Sequence, residues 1–203
     1  RGEPPATAPA PATPTDTPTH TPPPTRTAAP TAEADPTSSR PAGAGRATVA
    51  LVATTDRAAG ARSAIELLEL GPLIGGRVLL KPNLNSADPA PGSTHPQVLR
   101  ALLEALQALG AGPISIGDRS GMGRTREVMR QTGVLDLAAE LGARTVVFDD
   151  LPEDEWRIVE AKGFHWARGF PVPRLLDQVE AVVQTCNLKT HAHGGHFTMS
   201  LKN

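Results

Sequence analysis

Pro96-Gln97-Val98-Leu99-Arg100-Ala101-Leu102-Leu103-Glu104-Ala105-Leu106-Gln107-Ala108-Leu109-Gly110, followed by Pro113-Ile114-Ser115-Ile116, decides the fold. Proline stands where a first helical turn tolerates a missing N–H, and Val98, Leu102 and Leu106 repeat every four residues. Gly110 then supplies a stop, so the stretch predicts a helix that runs into a short apolar strand. The same unit recurs on either side. Thr48-Val49-Ala50-Leu51-Val52 reads as a strand, followed by a helix capped by Asp56 that carries Ala61, Ile65 and Leu68 and stops at Gly71. Arg77-Val78-Leu79-Leu80 reads as the next strand. Helices near 125–130 and 135–141, a strand at 145–148 and a last strand at 179–185 continue the alternation. Residues 155–166 read as an irregular or antiparallel excursion. Strands alternating with helices across short joints predict an α/β domain, with a mainly parallel sheet and helices on both faces.

Before about residue 46 the composition changes. Thr13-Pro14-Thr15-Asp16-Thr17-Pro18 and Pro22-Pro23-Pro24-Thr25 are typical of residues 1–45. Proline fixes φ and removes donors, and almost no large apolar side chains are present to offset the entropy of ordering. This part is expected to be a disordered Pro/Thr/Ala-rich linker, which makes 46–203 the folded domain. The Thr/Pro composition resembles stalks that hold a domain off a cell surface, giving an expected extracytoplasmic location, with a cytoplasmic one as the alternative. The chain begins at Arg1 and closes on Ser200-Leu201-Lys202-Asn203 without a helix stop, so the domain is expected to be truncated at its C-terminus.

The totals exclude several functions. The net charge is −1 over 203 residues, which provides no general basic surface for nucleic acid. Aromatics make up 3% with no Tyr, so there is no stacking platform for single strands. Cys186 is the only cysteine, so the chain forms no internal disulfide. It cannot hold an iron–sulfur cluster by itself, which typically takes about four thiolates. An inert, buried thiol is expected at that position. No apolar run approaches the roughly 18 residues of a membrane helix.

Each strand runs into polar residues: Lys81-Pro82-Asn83-Leu84-Asn85, then Gly117-Asp118-Arg119-Ser120-Gly121-Met122-Gly123, Asp149-Asp150 and Asn187-Leu188-Lys189-Thr190-His191. Ligands of open α/β sheets bind outside the carboxyl ends of the strands, so this rim is where chemistry is expected. Polar βα loops are also common without any function, simply because they are exposed.

Lys81-Pro82-Asn83, Gly92-Ser93-Thr94-His95-Pro96, Gly117-Asp118-Arg119-Ser120-Gly121 and Lys189-Thr190-His191, running to Ser200-Leu201-Lys202-Asn203, resemble the bacterial and archaeal family called domain of unknown function 362. The resemblance spans roughly residues 49–203. It implies a domain of unestablished activity, sometimes joined to ferredoxin-like modules, with any cysteine-rich module and its redox partner lying beyond Asn203.

Lys81, Asn83, His95, Arg119 and Ser120 are the expected contacts of a small anionic ligand. Lysine and arginine attract a carboxylate or phosphate, and the glycine-rich loop before residue 125 presents N–H groups. The competing reading is lysines paired with Asp118 or Asp149, and a His95 that merely begins a helix. Three imidazoles lie within six residues at His191, His193 and His196, a candidate set of metal ligands, although an exposed loop has the same composition. Asp118, Lys189 and His191 are the candidate catalytic groups, with Asp118 orienting a ligand or a histidine. Trp156, Phe164, Trp166 and Phe170 read either as a lid or as cover for a sheet edge. The leading expectation is an enzyme-like domain, redox- or metal-associated, acting on a small anion. The alternatives are a cofactor-dependent isomerase or racemase, and a non-enzymatic, surface-tethered anion-binding module.

Overall fold

The computed structural model describes residues 48–160 and 166–190. The linker expected at 1–45, Phe164, and the loop carrying His191, His193 and His196 lie outside the described residues. The elements are α1 (Arg57–Leu67), β1 (Val78–Lys81), α2 (Pro96–Ala108), β2 (Ile114–Asp118), α3 (Thr125–Gln131), α4 (Val134–Glu140), β3 (Arg144–Val147), β4 (Trp156–Val159), β5 (Phe170–Pro173) and β6 (Ala181–Gln184). Four strands form a parallel sheet in the order β3-β2-β1-β6, and β4 pairs with β5 as a separate antiparallel ribbon. The α/β class and the antiparallel excursion are as expected.

Alternation along the strands divides the core in two. Val78 and Leu80 of β1, Ile114 and Ile116 of β2, and Val147 of β3 point to one face. There they meet Leu99, Leu103 and Leu106 of α2, Met129 of α3, and Val134 and Leu137 of α4. Leu79, Val146 and Phe148 point to the other face, where Leu151, Trp156, Leu175, Leu176 and Val179 cover them. The helical part of this second cover is the 3-10 turn Arg174–Asp177. Gly117 permits the closeness of that packing: a Cβ there would lie 2.8 Å from Cε1 of Phe148 and 3.1 Å from Cδ1 of Leu79.

The helix α2 forms where its sequence placed it. His95 caps it, its Nδ1 accepting the Gln97 N–H at 3.2 Å, and Gly110 ends it at φ +81°. The buried stripe is Leu99, Leu103 and Leu106; of the expected Val98, Leu102 and Leu106, Leu106 is buried and Leu102 packs partly buried against the same core. Asp56 caps α1 by accepting the Ala59 N–H at 3.0 Å. That helix ends earlier than expected: the N–H groups of Leu68 and Glu69 close back on Ile65 and Glu66, and Glu69 at φ 49° takes the left-handed position expected of Gly71.

The expected strand at 48–52 is not formed in this structure. β1 already has β2 on one side and β6 on the other, and Val49 and Leu51 remain 85% and 93% exposed. Among the described residues, no helix is long and apolar enough to cross a membrane.

Candidate functional site

Parallel strands deliver all their carboxyl ends to one edge of the sheet, and here hydrogen bonds tie the loops of that edge together. Lys81 ends β1 and Asp118 ends β2. Lys81 Nζ donates to Asp118 Oδ1 at 2.7 Å, and the Leu84 N–H donates to Asp118 Oδ2 at 2.9 Å. Ser120 Oγ donates to the Leu84 carbonyl at 2.6 Å, and the Met122 N–H to the Asn85 carbonyl at 2.8 Å. The loops after β1 and β2 are therefore fixed to each other over several residues.

Asp118 is 1% exposed, so removal from water raises its carboxyl above the ordinary value. The charge and hydrogen bond of Lys81, then the N–H groups of Leu84 and Arg119, pull the other way. The ion pair gives Lys81 one defined position at the end of its strand.

Lys81 continues the face of Leu79 and opens towards the second cover of the sheet. There it lines a cleft of about 550 Å³ with Arg119, Asp149, Gln184, Phe148, Trp156 and Leu176. That volume lies within the roughly 300–1,000 Å³ range of small-molecule sites. The ribbon β4–β5 forms the far wall through Pro171, Val172 and Pro173. Arg119 gives its Nε–H to Asp149 Oδ1 at 2.8 Å and is otherwise 70% exposed along its side chain. Its terminal nitrogens meet no acceptor among the described residues. The Thr125 hydroxyl also donates to Asp149, and with Arg119 it holds that carboxyl below the usual range.

The other candidates stand on a neighbouring part of the rim. Asn83 exchanges backbone bonds with Thr94, its N–H reaching Thr94 Oγ1 at 2.9 Å and its carbonyl accepting the Thr94 N–H at 2.9 Å. Thr94 Oγ1 in turn lies 2.7 Å from Thr185 Oγ1, a buried hydroxyl pair joining β6 to the loop before α2. Lys189 Nζ donates to the Gly92 carbonyl. Lys81 and Arg119 therefore share the cleft, whereas Asn83, His95, Ser120 and Lys189 serve to fix loops and a helix end and do not line it. Cys186 is half-buried just after β6. Beside it, the Nδ2 of Asn187 is a buried amide donor without an acceptor among the described residues, the kind of group a bound oxygen would satisfy.

Trp156 both covers the second face of the sheet and lines the cleft, while Trp166 and Phe170 meet edge to face at 6.2 Å with Trp166 63% exposed. Phe148, Gln184 and the Thr94–Thr185 pair were not singled out from sequence as site residues, whereas Asp149 was named only as a rim residue and a partner for a lysine. Their position after a strand, or inside the Gly92–Pro96 motif, was the available signal.

No three metal-ligating side chains converge among the described residues. Their one thiol, Cys186, does not fit an iron–sulfur cluster. Residues 78–203 match the family described as Domain of unknown function (DUF362). Neither the curated proteins nor the solved structures contain a match.

Proposed function

The chain belongs to the DUF362 family, and from this premise we propose that it binds and acts on a small anion in the cleft beside Lys81 and Arg119. The observation that carries the reading is the composition of that cleft. Lys81 and Arg119 stand at its polar end, with Asp149 lining it beside Arg119, and Phe148, Leu151, Trp156 and Leu176 give it an apolar body. Such a site suits a carboxylate or phosphate attached to a hydrophobic, preferably planar, group.

Asp118 is too deeply buried to touch the ligand, so its role is to position Lys81. The Lys81 ammonium would face the ligand's oxygen and stabilise negative charge that develops there. Arg119 would bind a second oxygen through its terminal nitrogens while Asp149 holds its Nε–H. Lys189 does not line this cleft, and His191, His193 and His196 lie outside the described residues, so this reading is built without a role for any of them.

Calorimetry on the full chain with acetate, inorganic phosphate, benzoate and phenyl phosphate tests the reading. The two aromatic anions are expected to bind about tenfold or more tightly than the two simple ones, a difference of roughly 1.4 kcal/mol. Arg119→Ala should weaken all four. Equal binding of benzoate and acetate, or binding unaffected by Arg119→Ala, would overturn it.

A further inference from the structure

α1 gives the core little: of its residues only Gly60 is buried. Arg62, Ile65 and Glu66 share one of its faces, and they look onto a groove of about 430 Å³ that α1 forms with the last turns of α2. On the α2 side the groove exists because Ala105 and Ala108, one turn apart, leave the space that larger side chains would fill. Leu70 and Leu109 complete an apolar floor. The volume lies within the roughly 300–1,000 Å³ range of small-molecule sites. The groove is separate from the Lys81 cleft: that cleft is at the carboxyl ends of the strands, whereas the end of α2 leads into the amino end of β2.

The rim of the groove has one dominant sign. Glu66, Glu69 and Glu104 line it against a single cation, Arg62. Arg62 reaches Glu104 at 3.6 Å, and Arg100 reaches the same carboxylate at 3.9 Å, so the charge of Glu104 is met within the domain. Glu66 and Glu69 meet no cation among the described residues. An apolar floor therefore lies beside two uncompensated carboxylates.

We propose that this groove binds a primary alkylammonium ion, with its chain along Ile65, Leu70 and Leu109 and its charge at Glu66 and Glu69. Charge complementarity selects the cation. An anion with the same chain would be repelled by the two carboxylates, and a short ammonium without a chain would leave the floor exposed to water. The arrangement resembles the way a lysine stem lies on apolar surface while its charged head stays at the wet edge.

Nitrogen–proton spectra of the full chain test this, with hexylammonium, methylammonium, hexanoate and a short peptide of alternating leucine and lysine as the probes. Hexylammonium should shift the amides of Ile65, Ala105 and Ala108 along one saturation curve, with an affinity about tenfold or more above that of methylammonium or hexanoate. Glu66→Gln combined with Glu69→Gln should weaken it about fivefold, as expected for two exposed ion pairs. Ala108→Leu, which a helix accepts readily, should fill the groove and abolish binding while the melting temperature changes little. Hexanoate binding as tightly as hexylammonium, hexylammonium binding that survives Ala108→Leu, or groove amides that hexylammonium leaves unmoved would each overturn the proposal. Groove amides that shift with protein concentration alone would assign the face to a second copy. Saturation by the peptide at an affinity more than about tenfold above that of hexylammonium would assign it to a protein partner, and either result would also overturn the proposal.

Discussion

Lys81 and Asp118 form an ion pair in which one partner is almost wholly enclosed, and such pairs are far more costly to break than they are worth intact. Lys81→Met should leave the Asp118 carboxylate without its main counter-charge and destabilise the domain by roughly 3–5 kcal/mol near neutral pH. The double variant Lys81→Met, Asp118→Asn should recover most of that loss, since an amide oxygen still accepts the Leu84 N–H. The pH dependence follows from the raised carboxyl. A group with a folded pKa above its unfolded one contributes stability fully present below the unfolded pKa, and lost as pH rises through the folded one. Removing Lys81 takes away what pulls the Asp118 value down, so the variant's melting temperature should fall more steeply than the wild type's between about pH 4 and about pH 7. Asp149 and Glu127 have the opposite sign: their carboxyls are lowered, Glu127 to about 2, and their contributions fade on acidification. Thermal melts across that range, wild type beside both variants, measure the difference. At this scale the sequence was informative, because Lys81, Asp118 and Asp149 could all be named from their places after strands. Which lysine meets which carboxylate was not readable. The Lys81–Asp118 contact spans 37 positions and depends on the register of β1 against β2.

The elements show why some parts of a fold can be read directly and others not. The helix α2 has a start signal, an apolar period and a glycine stop, and all three act locally. His95 occupies the cap, a role its place before Pro96 suggested, and its Nδ1 replaces the oxygen usually found there. His95→Ala should cost about 1 kcal/mol, within the range of about 0.5–2 for lost caps, and His95→Asn should restore it. Urea melts of the two variants give the comparison. If His95→Asn were as unstable as His95→Ala, the imidazole would have a role beyond capping. The run at 48–52 has equally strong local character but no pairing, because a strand depends on a neighbour that its own residues cannot specify. The order of strands is likewise absent from any periodicity. The insertion of β6 beside β1, after the ribbon β4–β5, is a tertiary outcome.

For the whole domain, the two sides of the sheet have different tasks. One side is a closed core under α2, α3 and α4. The other has the short cover of the ribbon and the 3-10 turn, and this leaves the cleft at the carboxyl ends open. A groove between α1 and α2, lined by Ile65, Ala105, Ala108 and Leu109, is a second concavity of the domain, and it reaches α2 at the end that leads into the amino end of β2. The most direct test of the cleft's role is a two-dimensional nitrogen–proton spectrum of the full chain, titrated with benzoate. The indole signal of Trp156 and the amides of Lys81, Arg119 and Gln184 should shift together along one saturation curve, while those of Ile65, Ala105 and Ala108 stay fixed. Shifts centred on the α1–α2 groove, with the Trp156 and Lys81 signals unmoved, would contradict the assignment of the cleft as the working site.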